Sequence, residues 1–159
     1  MNKDTMLELL GRQPFARGFQ ERQFERLGEL AKEVRFEKDR IIFREDEECS
    51  EFFLIVSGTV ALEIAPPGWV FRVDTLGAGD EMGWSSLLLG HARQFQARVL
   101  QDTHVLVFQA TDLLAMCEAD TAFGYELMRR LLAVVAGRLQ ATRLQVMDTY
   151  WPAAKRAGN

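Results

Sequence analysis

Hydrophobic positions change period twice along this chain. In the first 32 residues they recur at helical spacing, interrupted at Gly11 to Pro14 and again near Gly18. Phe24, Leu27, Leu30 and Ala31 form one stripe, while Glu21, Arg22, Arg26 and Lys32 fill the rest of that turn pattern. From about residue 33 the pattern shortens to strand-like runs. Phe53 to Ser57 and Thr59 to Ile64 flank Gly58, which reads as a tight hairpin turn. Pro66-Pro67-Gly68 and Gly77-Ala78-Gly79-Asp80 bracket a third strand over Val70 to Leu76. Phe95 to Leu100 and Thr103 to Phe108 read as a further pair joined at Gln101-Asp102.

After Gln109 the helical period returns. Thr111 to Glu118 is a short helix, and Asp120 or Thr121 is a good N-cap for a long one reaching about Asp148. Tyr150-Trp151-Pro152 is expected to end it. The fold class predicted is α+β, mainly β: an antiparallel β-roll over 33–109, flanked by N-terminal helices over 4–32 and C-terminal helices over 110–148. Residues 1–159 then make one domain, with no internal repeat, low-complexity tract or linker.

Composition narrows the classes. An apolar fraction of 48% with 26% charged residues is ordinary for a globular chain. A net charge of −4 argues against a broad nucleic-acid face. The N-terminus lacks a signal peptide's apolar core, and Leu131 to Gly137 is far too short to span a bilayer. Cys49 and Cys117 form no CxxC and read as reduced thiols, so a cytoplasmic location without membrane attachment is expected. His91 and His104 share no metal-ligand spacing, and Ser85 and Ser86 sit in no nucleophile elbow. Neither an enzyme nor a metal cofactor is expected.

Four segments in order carry a family resemblance. Ile41-Ile42-Phe43-Arg44-Glu45-Asp46-Glu47 resembles an "IFREGD" strand and turn, and Phe53 to Val60 a "YxIxxGxV" hairpin. Leu76-Gly77-Ala78-Gly79-Asp80 resembles an "LGPGD" turn, and Gly83 to Arg93 has the length of a phosphate-binding cassette. Over about residues 14 to 147 the chain resembles the cyclic-nucleotide-binding domains, including the effector domains of the catabolite-activator (Crp/Fnr) superfamily. The resemblance implies a regulatory module whose ligand is a cyclic nucleotide or another phosphorylated molecule.

Physically, a phosphate wants a fixed cation and backbone N–H donors. Gly83, Ser85, Ser86 and the turn ending at Gly90 can supply donors, Arg93 the cation, and Gln94 a further donor. Strand parity puts Arg93 with Phe95, Ala97 and Val99 on the inward side, where a cation needs an anion. That anion is a ligand phosphate, a carboxylate such as Glu63 or Glu81, or the side chain snorkels to water.

Two positions depart from the family. The glutamate that accepts from the ribose 2′-hydroxyl is Trp84 here, whose indole only donates. The small pair after the arginine is Gln94-Phe95. Trp84 either plugs the pocket as a core aromatic or stacks on a flat ligand. The Gly-Trp-Ser opening resembles that of some bacterial single-domain relatives.

Met128, Leu132, Val135, Leu139, Thr142 and Val146 repeat at alternating spacings of four and three, beside a second stripe of Leu127, Leu131 and Val134. In the family this helix pairs two subunits and covers the base, so a homodimer is implied, with Arg138 and Thr142 reaching the pocket. The helix-turn-helix that follows it in the transcription factors has no counterpart in the roughly ten residues after Asp148, and no direct nucleic-acid contact is expected. The competing reading is a ligand-free interaction or dimerisation module with a degenerate pocket; a regulator joined to a separate DNA-binding or enzyme chain is a third.

Overall fold

The computed structural model describes residues 2–48, 50–88, 93 and 95–157, with 149–157 as backbone only. Helix α1 (Lys3–Gly11), a 3-10 turn (Pro14–Ala16) and α2 (Glu21–Leu30) lead into strands β1 (Lys32–Phe36), β2 (Ile41–Phe43) and β3 (Glu51–Ile64). Strands β4 (Phe71–Leu76) and β5 (Glu81–Met82), a second 3-10 turn (Trp84–Leu87) and β6 (Gln96–Gln109) complete the roll. Helices α3 (Ala110–Ala119) and α4 (Thr121–Ala157) close the chain. This is the α+β architecture expected: an antiparallel sheet ordered β1-β6-β3-β4, with β2 added on β6 and β5 on β3, between helices.

The sheet differs from the sequence reading at its two longest strands. Gly58 does not turn a hairpin, and Gln101-Asp102 does not either; β3 and β6 each run 14 residues without a break. They pair antiparallel from Glu51↔Gln109 to Glu63↔Gln96, with register shifts between Ile55 and Val60. The glycine therefore marks a bulge where both strands bend. Gly58 has φ +102°, and a Cβ there would stand 2.6 Å from the Asp102 carbonyl oxygen. A local turn and a local bend leave the same residue signature, and only the distant partner strand distinguishes them.

Both faces of the central pairing are buried. Phe52, Leu54, Leu106 and Phe108 pack toward the helices with Leu10, Phe15, Leu27, Leu113, Phe123, Leu127 and Leu131. Phe53, Ile55, Val105 and Val107 face the roll interior with Phe43, Val60, Leu62, Leu76 and Met82. A strand buried on both faces reads as a continuous apolar run, which is how Phe52 to Val56 appears.

Asp120 caps α4, its Oδ1 accepting from the Phe123 N–H at 3.1 Å, as expected. The inner stripe of Leu127 and Leu131 is buried, while Leu132 and Leu139 are 70% and 62% exposed. Three boundaries differ from expectation. Lys32 opens β1 rather than closing a helix, the cassette turn ends at Leu87 rather than Gly90, and α4 continues through Pro152 to Ala157. Proline costs one backbone bond and crowds the preceding turn, and the following Ala153, Ala154 and Ala157 have the highest helix propensity. Cys49, Gly90, His91 and Gln94 lie outside the described residues.

Replacing Gly58 by alanine forces a side chain into positive φ and against a backbone oxygen. A loss of about 2–4 kcal/mol is expected from urea denaturation, whereas Gly68→Ala, whose Cβ meets nothing within 4 Å, should cost about 1–2 kcal/mol from the backbone strain alone.

Candidate functional site

Strand β5 pairs with β3 through Phe53↔Met82 and Leu54↔Glu81, then leaves the sheet at Gly83. Gly83 has φ +78°, and a Cβ there would lie 2.6 Å from the Glu51 carbonyl oxygen and 2.7 Å from an Arg93 guanidinium nitrogen. Glycine is the residue that lets the chain turn this close to the arginine. The following turn is short, and Ser86 spends both its donors within it. The Ser86 N–H and hydroxyl both donate to the Gly83 carbonyl, at 3.0 and 2.7 Å.

Arg93 points inward, as strand parity predicts, and is only 4% exposed. Its Nη2 donates to the Glu51 carbonyl at 3.0 Å, and its guanidinium carbon lies 4.1 Å from the centroid of the Phe43 ring. A cation on an aromatic face gains from the ring quadrupole, more so when desolvated. Its backbone is tied to the turn after β2: the Arg93 N–H donates to the Glu47 carbonyl, and the Asp46 N–H to the Arg93 carbonyl.

The two carboxylates named as structural partners are engaged elsewhere. Glu63 accepts from Gln96 Nε2 at 3.0 Å and from Arg98 Nε at 2.9 Å. Glu81 belongs to Arg138, reached from α4. The Arg138 Nη2 donates to the Glu81 carbonyl and lies 4.0 Å from its carboxylate. Burial pushes the Glu81 carboxyl above its usual range and the Arg138 guanidinium below its own; each partly offsets the shift of the other.

Two spaces result. A recess lined by Phe43, Leu62, Gly83, Trp84, Ser85, Arg93, Phe95 and Arg138 holds about 20 Å³. That is close to the room one water needs, and far less than a phosphate group needs. Outside it, between the roll and α4, a cleft of about 220 Å³ is lined by Leu62, Val73, Asp74, Trp84, Phe95, Val135, Arg138, Leu139, Ala141, Thr142 and Gln145. Leu62, Trp84, Phe95 and Arg138 line both.

Of the residues predicted from sequence, Gly83, Trp84, Ser85, Arg93 and Arg138 meet at the recess, and Trp84, Arg138 and Thr142 at the cleft. Ser86 lines neither. The Thr142 hydroxyl donates to the Arg138 carbonyl at 2.9 Å, one turn back along its own helix. Phe43 and Gln145 were missed. Phe43 ends the short strand β2, and Gln145 lies one turn beyond Thr142 on the face that carries Arg138, so helical phase alone could have found it.

The sequence signature of the cyclic nucleotide-binding domain family matches residues 33–120, from β1 to the end of α3 and across the whole cassette. The chain belongs to that family. Among solved structures, a cyclic nucleotide-binding domain from Methylobacillus flagellatus superposes with a TM-score of 0.78 at 18% identity, covering 92% of this chain and 83% of that one. A Geobacter metallireducens protein described as cyclic nucleotide-binding gives 0.74 at 22%, covering 87% and 98%. Thermus thermophilus catabolite activator protein gives 0.70 at 23%, covering 84% and 62%. No curated protein sequence matches significantly. The fold is that of a regulatory ligand-sensing module. Among the described residues no helix is long and apolar enough to cross a membrane, and no cluster of His, Cys, Asp and Glu could hold a metal ion.

Because the folded Glu81 carboxyl titrates above its unfolded value, the folded chain holds that proton to higher pH. Its contribution to stability is complete at low pH and falls as pH rises through the shifted value. Glu81→Gln removes this loss. The urea midpoint of the variant, compared with that of the parent, should therefore improve as pH rises from the ordinary carboxylate range through the shifted value, and level off above it.

Proposed function

We propose that this domain is a regulatory module that keeps the cyclic nucleotide-binding fold without reading a cyclic nucleotide through Arg93. The observation that carries this reading is the narrowness of the recess around the arginine, about 20 Å³ between Leu62, Trp84, Phe95 and Arg138. In a nucleotide pocket the phosphate needs the guanidinium and the ribose needs an acceptor. Here the guanidinium lies on Phe43 and donates to Glu51, and the ribose position carries an indole. Arg93 then acts as an internal cross-link between the cassette, β2 and the start of β3.

The module works through α4. Its inner stripe packs on the roll while Leu132, Leu139 and Val146 stay exposed at heptad-like spacing. Single exposed apolar residues are ordinary, but a row of them along one helix suits a second copy of the same helix. The domain on this reading is a homodimer whose α4 pair presents a surface to a protein partner.

A second reading keeps a phosphorylated ligand on Arg93, with Ser85 beside it. The deep placement of the arginine favours it, but it requires Trp84 to swing out of the recess.

Calorimetric titration separates the two. Cyclic AMP and cyclic GMP should give no heat with the parent protein, and Arg93→Ala should lower stability by about 1–3 kcal/mol. Micromolar binding of either nucleotide, abolished by Arg93→Ala, would overturn the closed-recess reading. For the dimer, sedimentation equilibrium of Leu132→Glu/Leu139→Glu should show monomer where the parent shows dimer; a parent that is monomeric at 100-fold concentration range would remove it.

A further inference from the structure

The hairpin between β3 and β4 ends in a tip that the roll does not cover. Its last ladder pair sets Ile64 opposite Phe71, and the chain between them reads Ala-Pro-Pro-Gly-Trp-Val. The turn itself is stiff. Pro67 and Gly68 occupy its centre, Gly68 has φ +97°, and the Trp69 N–H donates to the Pro66 carbonyl at 3.3 Å. Proline followed by a left-handed glycine is the type II pattern, which leaves the tip little freedom to lose on binding. Its side chains face solvent: Trp69 is 63% exposed, Val70 50%, Phe71 46% and Ile64 38%.

This tip is apolar on both sides. The Trp69 and Phe71 ring centroids lie 4.5 Å apart, with Ile64 across the ladder from Phe71. Val70, by strand alternation, points the other way. Exposed apolar residues scattered singly need no occupant, but these four sit together at one turn. A flat protein face would cover one side of such a wedge and leave the other wet. A fluid medium into which the tip descends covers both.

Charge decides which medium. No residue from Ile64 to Phe71 ionises. Tryptophan joins an apolar body to an N–H that stays at the wet boundary, and it gathers at membrane–water interfaces for that reason. At the base of the hairpin Glu63 and Arg98 pair with each other. Glu45 reaches the loop, its carboxylate accepting from the Ala65 N–H. Around that base Arg44 and Arg72 stand against Glu45, Asp46, Glu47, Glu48 and Asp74, so this end is negative, as is the chain as a whole at −4. Anionic headgroups would be repelled here, and zwitterionic ones would not.

We propose that the Trp69–Phe71 tip is a wedge that enters the interface of a lipid surface with zwitterionic headgroups, laying the domain on a membrane without spanning it. This departs from the expectation drawn from spanning length alone. A chain without a spanning helix can still lie on a bilayer, since a surface wedge needs only a few apolar side chains. Binding of this kind is weak and reversible, and it is independent of how the Arg93 recess is read.

Flotation of the full chain with phosphatidylcholine vesicles at millimolar lipid tests the proposal. The parent should float with them, equally at about 0.05 and 0.5 M salt, because no ion pairing holds it there. Replacing about a third of the lipid by phosphatidylserine should weaken flotation at low salt. Trp69→Ala should reduce partitioning at least about fivefold through the loss of one large apolar group, with the melting temperature unchanged because the side chain is exposed. Trp69→Phe should still float, and brominated acyl chains that quench the parent's fluorescence should quench this variant far less.

Failure to float with neutral vesicles, flotation that grows with phosphatidylserine and disappears in salt, or flotation indifferent to Trp69→Ala would each overturn the proposal. Sedimentation equilibrium identifies the other occupant: self-association lost in Trp69→Ala, with no vesicle binding, would assign the tip to a second copy and overturn the lipid reading.

Discussion

Strands β3 and β6 pair along eleven positions from Glu51↔Gln109 to Glu63↔Gln96, and every other part of the molecule is placed by that pairing. Near their ends the two strands carry apolar residues on both faces, so one pairing anchors two cores at once. The helices are held on Phe52, Leu54, Leu106 and Phe108; the roll closes on Phe53, Ile55, Val105 and Val107. The bend at Gly58 is what makes this compatible with a roll. A flat fourteen-residue ladder would span about 48 Å, too long for a domain of this size to cover. Bending both strands at the same place folds the ladder over itself without losing its backbone bonds, and the cost is confined to a short stretch of shifted register between Ile55 and Val60.

The same pairing determines what Arg93 can do. Glu51 opens β3, and its carbonyl accepts from the arginine; Phe43 ends β2, which pairs on β6, and its ring lies under the guanidinium. A cation buried this deeply costs several kcal/mol unless its surroundings replace water. A carbonyl and an aromatic face supply part of that replacement, and Gly83 supplies the room, since a Cβ there would stand 2.7 Å from the guanidinium. The arginine and glycine of a phosphate cassette thus each have a place in the protein's own packing. Retention of these two residues is therefore weak evidence for phosphate binding, and the substitution by Trp84 carries more information than they do.

Much of this was legible in the sequence, and the exceptions share a cause. The helix–roll–helix order, the cap at Asp120, the inward direction of Arg93 and the two stripes of α4 follow from period and parity, which are local. Gly58 as a turn and Gln101-Asp102 as a second turn are errors about residues distant in sequence, and the same distance left open whether a carboxylate such as Glu63 or Glu81, a ligand or water meets Arg93. Glu63 is claimed by Arg98 and Gln96 across the β3–β6 ladder, and Glu81 by Arg138 from a helix more than fifty residues away. Which carboxylate meets which guanidinium depends on strand register and helix rotation, and neither is written in a window of ten residues. The narrowness of the recess belongs to the same class. Trp84 announces a departure, but the volume left beside it depends on Phe43 of β2, Phe95 just before β6 and Arg138 of α4.

Helix α4 is held unevenly along its length, and this gives the domain a direction in which to respond. Arg130 ties its first half: Nη1 donates to the Phe15 carbonyl at 2.5 Å, and the guanidinium sits 3.8 Å over the Phe19 ring. Arg138, eight residues and about 12 Å further on, makes the next attachment at Glu81. Past it Gln145 Nε2 donates to the Val73 carbonyl at 3.4 Å. The described side chains from Leu139 to Asp148 are all exposed. The helix is thus clamped by two arginines and loosely held beyond the second. The cleft opens at that second clamp, between Trp84 and Thr142. The part of α4 beyond it costs least to move, and that part carries Leu139 and Val146 of the outward seam. The fold in this way places a small space and a large surface on either side of one arginine.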